Sequence, residues 1–332
     1  MTRLLPPFPA GWYALALSHE LPPGSLRTQK FMNQEIILFR THSGVASAMD
    51  AYCPHLGAHM GYGGQVVGEC VQCPFHGFRF DAGGNCTYTP YGGKLPPKAI
   101  ARTYPICEIH GLLLAYFDPQ GRAPLWAVPD LDMHGWSPLL VRTWDLRGHP
   151  QETSENSVDT GHLAVIHGYQ SVEILKELVT DGPYLNVKYA MLRPRGLFGR
   201  PIRAEFEIHM YGLGYSLVDV VVPQFGLHTR HFVLATPTDG ENIHLRVALS
   251  MQTGSSPRLI HPLLVLLPRR FLNRLLARAA FDGFVHDVQQ DFVIWQHKRY
   301  IQPPILAQGD GPVGKYRQWA RQFYRDADLA LI

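Results

Sequence analysis

Two short stretches of the 332-residue chain share one grammar: CPHLG at 53–57 and CPFHG at 73–77. Each sets a cysteine and a histidine beside a proline and a glycine. Thiolates and neutral imidazoles are metal ligands, so Cys53, His55, Cys73 and His76 read as one site divided between two turns. With 5 Cys and 17 His available, chance yields this pattern in fewer than about one such sequence in a thousand. Zinc accepts two Cys and two His in a tetrahedron, and Cys70 with Cys73 even forms a CxxC pair. A [2Fe–2S] cluster of the Rieske type takes two Cys on one iron and two His on the other. Each loop supplies one of each, which favours a cluster clasped between symmetrical turns. Gly57 and Gly77 let the backbone turn tightly beside its sulfurs. Cys70 reads as a small buried hydrophobe, and Cys86 and Cys107 have no partner by spacing. His59 is a neighbour of a ligand set already complete.

A hundred residues later SENSVDTGHLAVIH, 154–167, gathers Glu155, Asp159, His162 and His167. Alone, D-x-x-H-x-x-x-x-H is a weak signal, because a solvated helix tolerates these residues. An electron-transfer cluster in the same chain changes that, since two His and a carboxylate are the ligand set of non-haem Fe(II) oxygenases. On a regular helix, positions i and i+5 lie about 140° apart. His162 and His167 therefore require a helix end or local bulge between them, with Gly161 as its aid. Glu155 reads either as a hydrogen-bonding neighbour of the site or as a first-turn acid favoured by the helix dipole.

The third ligand must come from elsewhere, and FDGFVHDVQQDFVIWQHKRY at 281–300 holds the best candidate. On a helix Phe284, Val288 and Trp295 form an apolar stripe, and Asp291 falls on it. A carboxylate there is buried and needs a partner or a metal. Asp287, one turn earlier, is its rival. His286 and His297 read as ordinary helix histidines.

The elements that position these groups differ between the two halves. From Gly11 onward WYALAL, EIILF, QVVG and LLLAYF are short β-type runs cut by Gly and Pro, with hairpin chemistry in DAGGN at 81–85. The text then turns proline-rich. Beyond it a helical segment near 153–167 precedes the alternating runs LNVKYAML, RAEFEIHMY, YSLVDVVV, RHFVLAT and IHLRVAL. Helical stretches near 268–300 and 313–326 close the chain. The expected fold is α+β: an all-β [2Fe–2S] domain at 1–120, a linker at 121–140, and an α+β catalytic domain at 141–332 with an antiparallel sheet and helices carrying a mononuclear iron.

Composition narrows the function classes. The chain is 46% hydrophobic and 17% charged, enough for a sizeable core. A formal charge of +3 with no Lys/Arg run excludes a nucleic-acid surface. Pro6, Pro7 and Pro9 interrupt any signal-like core, and the apolar stretch at 259–268 is too short to span a bilayer. A cytoplasmic protein, with a peripheral membrane location as the alternative, is the expectation. The apolar, arginine-studded segment 259–280 can line a substrate entrance, touch a membrane surface, or simply pack as a core helix.

The motifs CPH…CPFH and ENSVDTGHLAVIH together resemble the Rieske non-haem iron oxygenases, over nearly the whole chain. The resemblance implies a Rieske cluster on Cys53, His55, Cys73 and His76, and a mononuclear Fe(II) on His162 and His167. The family's QD-then-apolar pattern points to Asp291 as third ligand. Asp159 takes the family's bridging role, its carboxylate linking an iron-ligand His to a cluster His of the neighbouring subunit. It further implies O2 as co-substrate, a homotrimer, and a separate NAD(P)H-dependent reductase or ferredoxin, as the chain has no dinucleotide fingerprint. The runs SVEILKELVTDGPYLNVKY, GLGYSLVDVVVP and DFVIWQHKRYIQPP are similar to the branch of 3-ketosteroid 9α-hydroxylases and cholesterol 7-desaturases. That implies hydroxylation or desaturation of a bulky, apolar, steroid-like molecule. A natural-product tailoring oxygenase (oxidative cyclisation or demethylation) and a non-enzymatic Rieske electron carrier are the competing readings.

Overall fold

The computed structural model describes residues 5–194, 201–253 and 268–325, which divide into two units. Trp12–Asp130 with Pro237–Gly240 forms one, and Leu131–Thr236 with Glu241–Ile332 and the described part of Met1–Gly11 forms the other.

Frequent Gly and Asn turns keep the strands of the first unit short. In chain order they are β1 (Gly11–Leu17), β2 (Leu26–Phe31), β3 (Gln34–Arg40), β4 (Ala46–Asp50), β5 (Gln65–Val67), β6 (Cys70–Gln72), β7 (Arg79–Asp81), β8 (Cys86–Tyr88), β9 (Thr103–Tyr104), β10 (Ile106–Ile109) and β11 (Leu112–Phe117). They form three sheets, ordered β1-β11-β10, β2-β3-β4-β9 and β5-β6-β7-β8. Asp81 Oδ1 accepts the N–H groups of Gly83 and Asn85, which closes the DAGGN turn between β7 and β8. Ile37, Phe39, Met49, Val71, Phe78 and Phe80 make a buried core that also encloses Cys53 and Cys73. Cys53 sits in the loop from β4 to β5, and Cys73 in the turn from β6 to β7. Cys70 departs from expectation: it is half-buried on β6, its Sγ 3.2 Å from Thr87 Oγ1.

The second unit holds β12 (Leu140–Arg147), α1 (Pro150–Glu155), α2 (Gly161–Val165), β13 (Gln170–Asp181), β14 (Tyr184–Arg193), β15 (Ile202–Tyr211), β16 (Ser216–Val222), β17 (Leu227–Pro237), β18 (Asn242–Met251), α3 (Arg269–His297) and α4 (Val313–Ala320). β13 to β18 run as successive neighbours of a seven-stranded antiparallel sheet, and β12 pairs with β18 at the far edge. α3 spans about 43 Å at 1.5 Å per residue. Its Phe281, Val285, Val288 and Trp295 bury against Leu245, Val247 and Leu249 of β18. Each such side chain contributes roughly 1.5–3 kcal/mol when fully buried. Residues 259–267 of the apolar segment lie outside the described residues. In the rest of it Arg269, Arg270, Arg274 and Arg278 are exposed, while Leu272 and Ala277 pack inward. No helix among the described residues is long and apolar enough to cross a membrane.

The expected single helix near 153–167 is instead two short ones. α1 is fully buried despite its polar text, PQETSE. Its side chains are satisfied from the chain's end: Ser154 Oγ lies 2.6 Å from Tyr316 Oη, and Tyr324 Oη donates to Gln151 Oε1 at 2.7 Å. Glu155 is the last residue of α1, not a first-turn acid, and it does not face the histidines. Arg317 grips it with two hydrogen bonds, of 2.6 and 2.9 Å. Glu155 is buried and the Arg317 side chain is 11% exposed, so Glu155→Ala is expected to cost about 3 kcal/mol by leaving the guanidinium with the Ile301 carbonyl as its remaining acceptor. Denaturant unfolding monitored in this unit measures that loss, and an unchanged midpoint contradicts it.

Candidate metal centres and substrate cavity

The two Cys–His loops fold alike. Each cysteine N–H reaches a carbonyl five residues on, Cys53 to Ala58 and Cys73 to Phe78, both at 2.8 Å. Each cysteine carbonyl accepts from a glycine four residues on, Gly57 at 2.9 Å and Gly77 at 3.1 Å. Both glycines are left-handed, with φ of 76° and 68°, a conformation that a Cβ opposes. The loops therefore present two buried sulfurs and two half-buried imidazoles, with the His55 and His76 rings 4.8 Å apart. His55 lies flat on Phe78 at 4.3 Å, which fixes its plane.

Burial pushes the Cys53 thiol up to about 11, opposed by the His55 N–H and reinforced by neighbouring Cys73. Thiolates in such a core need a cationic partner. The donor set fits a Rieske cluster. It does not suit a single zinc, because among the described residues only another trio brings three ligand atoms to the spacing of one ion.

That trio is His162, His167 and Asp291, whose ligand atoms all lie within 4.8 Å of one another. The helix end that the histidine spacing requires is present: α2 stops at Val165, and His167 follows its cap. Gly161 opens α2 and makes no bulge. The two rings thereby come to 5.1 Å. His162 Nδ1 lies 2.6 Å from the Asp159 carbonyl, which only accepts, so Nδ1 carries the proton and Nε2 keeps its lone pair. His167 Nδ1 bonds Gln290 Oε1 at 2.9 Å, and its Nε2 stands 3.5 Å from Asp291 Oδ2. Burial lowers the His167 pKa, but Asp291 and Gln290 outweigh it and raise the ring above its ordinary value. Asp291 is 6% exposed. Two imidazoles and one carboxylate whose ligand atoms lie this close together fit an iron that keeps open positions.

Asp287 points to different work. Tyr169 Oη donates to its Oδ2 at 3.1 Å, and Arg193 takes its Oδ1. Asp159 Oδ1 accepts from the N–H groups of Gly161 and His162 at 3.0 and 3.3 Å. Burial pushes its carboxyl up, yet the contacts with His162 outweigh this and hold it below the usual range. Its side chain remains 35% exposed. Gln290, Tyr169 and Arg193 escaped the sequence reading. Only the adjacency of Gln290 to a stripe carboxylate hinted at one of them.

Between α3 and the inner sheet face lies a cavity of about 510 Å³. Alternation sends Ala204, Phe206 and Ile208 of β15 and Val218, Val220 and Val222 of β16 into it. His167 and Asp291 lie on its wall, and so do Leu276 and Ala280 of the arginine-studded segment.

A Rieske-type loop pair in a small β unit, followed by a large sheet whose helix closes a two-His, one-carboxylate site, defines the oxygenase component of a Rieske system. Residues 11–105 match the Rieske [2Fe-2S] domain family, and residues 115–324 match the 3-ketosteroid 9alpha-hydroxylase C-terminal domain family. The chain is 30% identical to a cholesterol 7-desaturase of Xenopus laevis over 345 residues, covering 96% of this chain and 73% of that one. It is 29% identical to the oxygenase component of a 3-ketosteroid-9-alpha-monooxygenase of Rhodococcus rhodochrous, covering 96% and 83%. The structure of dicamba monooxygenase bound to dicamba shares the fold at TM-score 0.67 and 20% identity, covering 94% and 96% of the two chains. That of Pseudomonas putida NdmA with caffeine does so at 0.71 and 15%, covering 93% and 89%.

The chain belongs to the Rieske non-haem iron oxygenases, in the group with the 3-ketosteroid 9α-hydroxylase C-terminal domain. It is an oxidoreductase that uses a Rieske cluster, a mononuclear iron and O2, with electrons from a separate reductase or ferredoxin.

Proposed function

We propose that this oxygenase hydroxylates or desaturates a steroid-like substrate held between α3 and the sheet. In this reading Cys53, His55, Cys73 and His76 hold the cluster, while His162, His167 and Asp291 hold the iron. The carrying observation is the apolar cavity whose wall includes His167 and Asp291. When bound, the two iron groups supply electron transfer and dioxygen activation. The chain supplies orientation: the Asp159 carbonyl fixes His162, and Gln290 fixes His167. The apolar wall excludes water and favours a fused-ring hydrocarbon by about 0.8 kcal/mol per buried CH₂. The named substrates of the desaturase and monooxygenase relatives support that choice over natural-product tailoring. An electron carrier would leave the second unit without a role. The half-exposed Asp159 carboxylate supports the bridging role in a homotrimer.

Gln290→Leu is expected to lower iron affinity about 10–100-fold while sparing the cluster. Chelator competition reads this, and unchanged affinity means that Gln290 does not orient His167. The function itself is tested by supplying O2, a reductase–ferredoxin pair, and matched sterols and 3-ketosteroids. A product with one added oxygen or two fewer hydrogens is expected. Oxygen consumption without any steroid product contradicts the assignment.

A further inference from the structure

Besides Tyr189 and Arg193 of β14, the second of which engages Asp287, the sheet wall of the cavity is polar at Thr229 and His231 of β17. On β16 and β17 the inward register pairs are Val218 with His231, Val220 with Thr229, and Val222 with Leu227. Thr229 Oγ1 and His231 Nε2 are hydrogen-bonded at 2.8 Å. The charged groups of these strands do not join them, for Asp219 bonds His228 and Arg230. Burial drives the His231 pKa down to about 3, so its ring is neutral at physiological pH.

Hydroxyl and neutral imidazole carry two hydrogens between them, and their mutual bond uses one. The other is left on Thr229 Oγ1 if the ring donates, or on His231 Nδ1 if the hydroxyl donates. No other protein hydrogen bond to either side chain is present among the described residues. A polar pair inside an apolar wall is costly unless a further partner completes it.

Position narrows what that partner is. The His231 ring packs 4.4 Å from Phe284, two turns before Asp291 on α3. Two turns are about 10 Å of helix rise. A hydrogen bond takes about 3 Å of this, and a near-attack contact about 3–3.5 Å. The remainder, roughly 4 Å, is one or two fused rings wide.

We propose that Thr229 and His231 form the subsite for a ketone or hydroxyl oxygen of the substrate, one or two rings from the carbon presented to the iron. The pair serves either group, because shifting its shared proton lets it donate to a carbonyl or accept from a hydroxyl. The inference rests on the steroid-like reading above, and it makes these two residues determinants of which carbon is oxidised.

The test is anaerobic equilibrium binding to the metal-loaded protein, using androstan-3-one and oxygen-free androstane. Wild type should prefer the ketone. Thr229→Val and His231→Phe should each weaken ketone binding about tenfold and leave androstane within about twofold. His231→Gln, which keeps a hydrogen-bonding group, should retain most of the preference. Iron and sulfide contents should not change. Equal losses for both probes, or no loss for either, would show that the pair only packs and would overturn the subsite. Equal wild-type affinity for ketone and androstane overturns the subsite while leaving the steroid reading standing. Binding of neither probe to wild type overturns the steroid reading and this inference with it.

Discussion

Asp159→Asn is expected to leave both metal sites filled and to lower substrate oxidation by about a hundredfold. Asparagine keeps an acceptor for the Gly161 and His162 N–H groups, so the start of α2 and the His162 ring stay in place. What it removes is the negative charge beside His162, which the bridging role needs. The signature is therefore a fall in kcat with unchanged iron per chain and unchanged substrate affinity. Substrate-dependent reoxidation of the reduced cluster should slow by the same factor. Turnover at the wild-type rate would mean that electrons reach the iron site by another route.

Asp291→Ala has the second large effect. Its carboxylate is the buried acid 3.5 Å from His167 Nε2, and alanine leaves two imidazoles without a charged ligand. The protein should lose its mononuclear iron, keep the visible spectrum of the cluster, and form no detectable product. Asp287→Asn is the matched control. It disturbs contacts with Tyr169 and Arg193 but should retain iron. If iron and activity survive Asp291→Ala and vanish in Asp287→Asn, the ligand assignment reverses.

What was legible in the sequence follows from where each residue sits. The inner strands β14 to β18 announced themselves by apolar alternation, because one face is buried against α3 or the cavity. Both unread strands, β12 and β13, are the edges of that sheet. Gln170–Asp181 is almost wholly exposed and keeps no alternation to read. The helix α1 misled for the opposite reason. Its text is polar, yet every residue is buried, since Tyr316, Arg317 and Tyr324 arrive from more than a hundred residues away to satisfy it. Local patterning cannot show partners supplied by tertiary structure.

The site divided in the same way. Cys53, His55, Cys73 and His76 stood out because their types are rare and their spacing is tight, whereas His162 and His167 gained weight only beside that cluster motif. Asp291 could be read as the one acid on an apolar stripe. Gln290, one residue earlier on the same helix, was marked only by its adjacency to that acid until His167 was placed beside it. Thr229 and His231 could have been found, because they break the inward alternation Leu227, Thr229, His231, Val233 of β17.

The most direct test of the whole account is iron and acid-labile sulfide per chain on anaerobically purified protein, with a spectrum after dithionite reduction. Two centres predict about three irons and about two sulfides, with a Rieske-type reduced signal. About two irons and two sulfides after full reconstitution would leave the trio of His162, His167 and Asp291 without its metal. Zinc without sulfide would contradict the account at Cys53 and Cys73, where it begins.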